Sequence, residues 1–291
     1  MRAAIAQIST TADVAGNLAL VREHTERAAA AGAQLVVFPE ATMIGFGHDL
    51  LGAAREHAEH WKTELMWLAA EREITIVAGE FEEAPAGSGS PRVRNVLAAY
   101  TPEGERFDYA KIHLYDAFGF RESDTVAAGR EPVVLSVAGH RVGLALCYDV
   151  RFPKLFAELS RAGAEAIVCA ASWGAGESKV RQWEILTRAR ALDSNTIVLA
   201  VGQADPAVTG AAVPEGAPTG VGHSVVADPF GEALAQLDGG EHLEIVDLDL
   251  DVVPGPGRLC PCWRTPAWAT DRPGRPSIRS VRDGFVVSGP E

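Results

Sequence analysis

The chain has 291 residues, of which 47% are hydrophobic and 22% are charged, as is typical of a soluble globular enzyme. Asp and Glu outnumber Lys and Arg by 39 to 26, for a net charge of −13. That charge repels phosphate backbones and anionic lipid, so we expect no nucleic-acid and no membrane partner. The sequence has no signal-peptide pattern, no apolar run of about 20 residues, and no disulfide framework among its four cysteines. A cytoplasmic protein is therefore expected.

Strand-like and helix-like segments alternate along most of the chain, which predicts a layered α/β protein with mixed sheets. Apolar runs predict the strands, Ala-rich charged segments predict the helices, and the Pro-Gly-Ser-rich stretch 85–91 predicts a loop. We expect one domain over 1–251 and an irregular C-terminal tail over 252–291. In chain order, the expected elements are strand 3–8, helix 14–31, strand 34–38, helix 53–72, strands 74–79, 95–100, 106–110, 133–137 and 141–146, helix 152–162, strand 166–170, helix 178–193, and strands 196–201, 224–228, 233–237 and 243–250.

The usual cofactor motifs are missing from the sequence. It contains no Gly-rich phosphate loop, no GxGxxG after the first strand and no HExxH pair. The Cys260-Pro-Cys262 segment lacks a second pair of ligands, so two ordinary loop thiols are favoured over a metal site. We expect neither a cofactor nor a metal.

Cys147 lies between the apolar strand 141–146 and the helix that begins near Phe152. A sulfur at such a turn is near the positive end of a helix dipole, which favours a thiolate nucleophile. A buried structural cysteine is the alternative. A papain-like Cys–His pair is disfavoured, because His113 begins a loop and His140 lies in a hairpin turn.

Two charged residues follow other predicted strands. Glu40 comes just after strand 34–38, at the edge where α/β sheets meet their ligands, and its carboxylate could accept a thiol proton. Lys111 ends strand 106–110, and its ammonium could stabilise a developing oxyanion. Each residue alone could equally be an ordinary surface group. Together with Cys147 they supply a base, an electrostatic stabiliser and a nucleophile.

Three segments, VVFPEATMIGFG, DYAKIHLYDAFGFRESDTVAAG and VGLALCYDVRFPKLFAEL, resemble the signature blocks of the nitrilase superfamily, the carbon–nitrogen hydrolases. The resemblance extends from AIAQI to about Asp251 and includes ASWGAG and GHSVVADPFGE, whereas the tail departs from the family pattern. It implies a carbon–nitrogen hydrolase domain over 1–251, built as a four-layer αββα sandwich, with subunits that form a homodimer or a larger homo-oligomer. By position, the resemblance makes Glu40 the general base, Lys111 the oxyanion stabiliser, Cys147 the nucleophile and Glu122 a second glutamate beside them.

The resemblance also suggests a substrate class. Arg151 stands four residues after Cys147, where carbamoyl-hydrolysing relatives bind a substrate carboxylate, although a surface arginine at a helix start is the alternative. The backbone N–H of Tyr148 is expected to help bind the oxyanion, and Trp173 either lines the pocket or packs in the core.

The CYDVRFP string is most similar to the branch that acts on ω-amides of short acids and on deaminated glutathione. The substrate is therefore expected to be a small amide that carries a carboxylate. N-carbamoyl amino acids are the nearest alternative, and nitriles are disfavoured. A non-catalytic interaction protein on the same fold is the alternative from another class.

Overall fold

Two mixed β-sheets pack face to face, and helices cover their outer sides. The computed structural model describes residues 1–86, 90–117, 119–214, 216–253, 278–281 and 284–287. The strands are β1 (Arg2–Gln7), β2 (Leu35–Val37), β3 (Thr75–Glu83), β4 (Val93–Tyr100), β5 (Arg106–Ala110), β6 (Val133–Val137), β7 (His140–Leu146), β8 (Ala166–Ala171), β9 (Ile197–Gly202), β10 (Val225–Ala227), β11 (Ala233–Gln236), β12 (His242–Asp247), β13 (Ile278–Val281) and β14 (Gly284–Val287). The helices are α1 (Val14–Ala30), α2 (Leu50–Arg72), α3 (Pro153–Arg161), α4 (Lys179–Ser194) and α5 (Pro206–Thr209).

The strand order of each sheet shows how the chain is wound. The first sheet has the order β12-β1-β2-β3-β4-β5, and the second has the order β11-β10-β9-β8-β7-β6-β14-β13. The inner strands β1, β2 and β3 run parallel, as do β7, β8 and β9, while hairpin partners extend the sheets in antiparallel pairs. This arrangement confirms the expected four-layer α/β sandwich.

Alternating side chains of the apolar strands fill two different cores. Ala3 and Ile5 of β1 face the second sheet, whereas Ala4 and Ala6 face a separate core to which α1 and α2 contribute. Because successive residues of a strand point to opposite faces and both faces are covered, the strand is a continuous apolar run. Helices α3 and α4 pack in the same way on the outer side of the second sheet.

The predicted elements in 1–247 are present with ends shifted by a few residues. The last predicted strand stops earlier, since β12 ends at Asp247, and the short helix α5 was not predicted. None of the helices in the described part of the chain has the length and apolar content that crossing a bilayer requires.

The C-terminal segment differs from the expected irregular tail at two places. Strands β13 and β14 form an antiparallel pair, and β14 pairs with β6 at the edge of the second sheet. The two runs, IRSV and GFVV, contain the β-branched and aromatic residues that strands favour, whereas the segment before them is rich in Pro and Gly. Apart from these two strands, the tail after residue 253, including Cys260 and Cys262, lies outside the described residues.

Candidate active site

Four segments that each follow a strand meet at the carboxyl ends of strands from both sheets. Glu40 follows β2 and Lys111 follows β5 in the first sheet, while Cys147 follows β7 in the second. Ser172 follows β8, next to the Cys147 strand, and its backbone N–H donates to Glu40 Oε2 at 2.9 Å. This hydrogen bond ties the two sheets together at the site.

Lys111 lies between two buried carboxylates. Its Nζ is 2.8 Å from Glu40 Oε1 and 3.0 Å from Glu122 Oε2. All three side chains are buried, with exposures of 2% for Lys111, 1% for Glu40 and 6% for Glu122. The backbone N–H of Tyr115 donates to Glu122 at 2.7 Å. Burial opposes the charge of Lys111, but the two carboxylates outweigh it and hold the pKa of its ammonium well above the usual value.

Asn95 of β4 connects the same two carboxylates and was not singled out from the sequence. Its Nδ2 donates to Glu40 Oε1 at 2.8 Å and to Glu122 Oε1 at 3.2 Å. Two carboxylate acceptors define the orientation of the amide, because the flipped form would place an oxygen against oxygens. Asn95 therefore fixes the spacing of Glu40 and Glu122 around Lys111.

Cys147 occupies a strained turn next to these groups. Its φ is +45°, in the left-handed region that non-glycine residues rarely adopt. Burial raises the pKa of the thiol well above its usual value, and the Glu40 charge acts in the same direction against the opposing effect of Lys111. Burial and the Glu40 charge therefore favour the protonated thiol, a direction opposite to the one expected from a helix dipole alone.

The Glu40 segment depends on a close backbone approach. Ala41, directly after Glu40, has a φ of +58°. The segment crosses Gly79 of β3 so closely that a Cβ at Gly79 would lie 2.6 Å from Ala41 N and 2.8 Å from Glu40 Cα. Glycine at position 79 is thus needed for the position of the carboxylate.

A cavity opens beside Cys147, and the structure brings all seven of the predicted site residues to it. Arg151 is half-buried, with its guanidinium carbon 5.1 Å from the centroid of the Trp173 ring and its Nη2 donating to Gln182 Oε1 at 2.7 Å. Trp173 both lines the cavity and is buried, so the two alternatives for it coexist. The cavity is lined by Glu40, Phe46, Lys111, Tyr115, Phe120, Glu122, Cys147, Tyr148, Arg151, Ser172, Trp173, Gly174, Lys179 and Pro218.

Several lining residues could not be inferred from the sequence. Lys179 is the first residue of α4, and only the packing of that helix brings it to the cavity. Phe46 and Phe120 come from loops and also border a neighbouring groove. Among the described residues, no group of three or more His, Cys, Asp or Glu side chains is arranged to hold a metal ion.

The chain belongs to the carbon–nitrogen hydrolase family, whose model matches residues 2–254. It is 51% identical to a hydrolase of Mycobacterium tuberculosis over 258 residues, which cover 87% of this chain and 91% of that protein. It is 32% identical to the deaminated glutathione amidase of Synechocystis sp., covering 86% of this chain and 92% of that one. These matches define an enzyme that hydrolyses carbon–nitrogen bonds.

Similar solved structures belong to the same class of enzyme. An amidase from Nesterenkonia sp. AN1, a member of the nitrilase superfamily, superimposes with a TM-score of 0.72 at 28% identity, covering 87% of this chain and 92% of that one. That structure is of a mutant with the acetamide moiety of fluoroacetamide covalently added at its active-site cysteine. The family resemblance stated from the sequence is thus confirmed.

Proposed function

We propose that this chain hydrolyses a small amide that carries a carboxylate, through a thioester on Cys147, and that it releases ammonia. The observation that carries this proposal is the Lys111 ammonium, 2.8 Å from Glu40 and 3.0 Å from Glu122, in a cavity shared with Cys147. The substrate class is that of the ω-amidases and deaminated glutathione amidases, in line with the similarity to the Synechocystis protein.

In the first half-reaction, Glu40 accepts the Cys147 proton while sulfur attacks the amide carbonyl. The raised pKa keeps the thiol protonated, so a base must accept its proton to generate the nucleophile. This supports transfer of the proton to Glu40 during the attack. The tetrahedral oxyanion is bound by Lys111 and by the backbone N–H of Tyr148, and such a donor typically contributes about 2.7–4 kcal/mol. Glu40 then returns its proton to the nitrogen, the carbon–nitrogen bond breaks, and ammonia leaves.

The second half-reaction releases the acid. Glu40 accepts a proton from water as the water oxygen attacks the thioester carbonyl. The carbon–sulfur bond then breaks, and Cys147 recovers its proton from Glu40. One water is consumed, one carboxylic acid and one ammonia are formed, and the enzyme returns to its starting state.

Glu122 acts in this scheme through Lys111. An ammonium has three N–H donors, and two of them are directed to Glu40 and Glu122. The third can meet the oxyanion in the cavity. Glu122 therefore orients the ammonium, and its contacts to Asn95 and to the Tyr115 backbone hold it in position.

Arg151 is proposed to bind the substrate carboxylate. Its planar guanidinium suits bidentate binding of a carboxylate, and the half-buried position on the cavity wall supports that use. N-carbamoyl amino acids are a second candidate, because they too would present a carboxylate to Arg151. They would release carbon dioxide with the ammonia, which separates the two classes.

The test measures ammonia release from short ω-amide acids, from their neutral methyl esters and from N-carbamoyl amino acids. We expect the wild type to prefer the acid over the ester, and Arg151→Ala to lose most of that preference. Cys147→Ala should release no ammonia. Equal rates on acid and ester would contradict the carboxylate part of the proposal. No ammonia from any amide would favour the alternative of a non-catalytic interaction protein.

A further inference from the structure

A second cation, Lys179, shares the cavity wall with Arg151. It is half-buried at the start of α4, and its ammonium lies 5.4 Å from the centroid of the Trp173 ring and 6.0 Å from that of Tyr115. Neither the resemblance nor the reaction scheme gives this side chain a role. Its place in the cavity wall suggests one.

Trp173 holds the two cations beside the same ring. The Arg151 guanidinium carbon is 5.1 Å from the Trp173 centroid, a distance close to that of the Lys179 ammonium. The indole N–H of Trp173 donates to the backbone carbonyl of Lys179 at 3.0 Å, which fixes the start of α4 against the ring. Both cations are therefore positioned by one buried aromatic side chain.

Lys179 interacts electrostatically with both Arg151 and Cys147. Burial lowers the pKa of Lys179, the nearby positive charge of Arg151 lowers it further, and Cys147 has the opposite effect. An anion placed between Arg151 and Lys179 would relieve the repulsion between them.

We infer that Lys179 is a specificity-determining residue that binds, together with Arg151, a single carboxylate of the substrate. This inference rests on the proposed function and adds to it the second half of the carboxylate site. Because Cys147 lines the same cavity, the carboxylate and the scissile amide must lie close together. A short amide acid of the kind proposed above fits this arrangement.

The experiment measures kcat and KM for succinamate, glutaramate and their methyl esters, with ammonia as the readout. In Lys179→Met, we expect the ratio of kcat/KM for acid over ester to fall about 10- to 100-fold, as for loss of a hydrogen bond to a charged group. The change should lie mainly in KM for the acid. Lys179→Arg, which keeps the charge, should retain most of the preference.

Arg181→Gln is the matched control, since it removes one exposed positive charge from the same turn of α4 without touching the cavity. It should leave the acid-to-ester ratio unchanged. In the double variant Arg151→Ala/Lys179→Met, the acid-to-ester ratio of kcat/KM should fall by less than the product of the two single fold-changes. The reason is that both residues bind one carboxylate.

The inference is overturned if Lys179→Met keeps the wild-type ratio, if it loses acid and ester activity in parallel, or if Arg181→Gln causes the same fall. A fall in the double variant equal to the product of the two single fold-changes would contradict a shared carboxylate. Failure of the proposed function has a different signature, because the wild type itself would then show no acid preference or no ammonia release.

Discussion

Asp149 accepts a hydrogen bond from the backbone N–H of Leu146 at 2.8 Å, so its buried carboxylate closes the turn that carries Cys147. The same carboxylate accepts from the Tyr109 hydroxyl at 2.6 Å and from the backbone N–H of His113 at 3.2 Å. The His113 ring is also 2.6 Å from it and stacks on Phe152. A network of this kind can hold a nucleophile in a strained backbone conformation.

Replacing Asp149 should release that strain and misplace the sulfur. Asp149→Asn replaces one of the two acceptor oxygens with an amide NH2 donor. We therefore expect kcat to fall at least tenfold and the free energy of unfolding to fall by about 1–3 kcal/mol. Tyr109→Phe removes one donor and should have the smaller effect on both quantities. Urea unfolding and ammonia release measure them. A variant Asp149→Asn with wild-type kcat would contradict the positioning role.

Removing the cation between the two carboxylates should cost both activity and stability. Lys111→Met leaves Glu40 and Glu122 buried without their counter-ion, and breaking a buried pair in this way typically costs about 3–5 kcal/mol. We expect no detectable ammonia release and a lower urea midpoint.

Two variants separate these effects. Adding Glu122→Gln to Lys111→Met should restore part of the stability but none of the activity. Lys154→Met, at an exposed lysine of α3, should change neither property. Activity of Lys111→Met within tenfold of the wild type would contradict the role of the ammonium.

The cysteines should differ in their reaction with iodoacetamide. Cys147 lines the cavity, whereas Cys169 is fully buried in β8, so only Cys147 of these two should be labelled in the folded protein. Because the Glu40 charge raises the pKa of the Cys147 thiol, Glu40→Gln should move the pH profile of labelling to lower pH. Turnover should be lost in the same variant. Peptide mapping after timed labelling tests both points, and a profile shifted to higher pH would contradict the coupling.

Local sequence patterns pointed to three residues that directly follow predicted strands, and the family resemblance gave them their roles. The structure brings Glu40, Lys111 and Cys147 to one cavity at the carboxyl ends of β2, β5 and β7. Asn95 lies inside β4, whose two faces are both covered, so alternation does not indicate which side chain meets the site.

Tertiary packing determines the rest of the site. Lys179 depends on how α4 lies against Trp173, a contact between segments that no local pattern specifies. The thiol pKa of Cys147 likewise depends on burial and on Glu40, more than 100 residues away in sequence, and a local argument from a helix dipole includes neither.

A buried ionic cluster at the edge of the first sheet should make stability depend on pH. Glu80 of β3 accepts hydrogen bonds from the Tyr100 hydroxyl at 2.5 Å and from Arg106 at 2.7 Å. Burial raises the pKa of Glu80 to about 7, although Arg106 and Tyr100 act in the opposite direction. Burial also opposes ionisation of Glu82, but hydrogen bonds from Lys62 and Arg106 outweigh it and hold the pKa of that carboxyl at about 2.

The two carboxyls therefore affect stability in opposite directions. Between about pH 4.5 and 7 the folded chain holds a proton on Glu80 that the unfolded chain has lost, so rising pH lowers the free energy of unfolding. Glu82 contributes stability above its unfolded pKa, and this contribution is lost as the pH falls toward 2. The Glu80 effect lies between about pH 4.5 and 7, above the range in which the Glu82 contribution is lost, so the two can be measured separately.

Glu80→Gln should remove the Glu80 part of this pH dependence. We expect the free energy of unfolding of the wild type to fall between pH 5 and pH 8 by about 1–3 kcal/mol more than that of the variant. Urea titrations at pH 5, 6, 7 and 8 measure the difference. Glu83→Gln, at an exposed carboxylate on the same strand paired with Arg55, is the control and should keep the wild-type slope. Parallel curves for the wild type and Glu80→Gln would show that Glu80 is already ionised throughout this range, with Arg106 outweighing its burial.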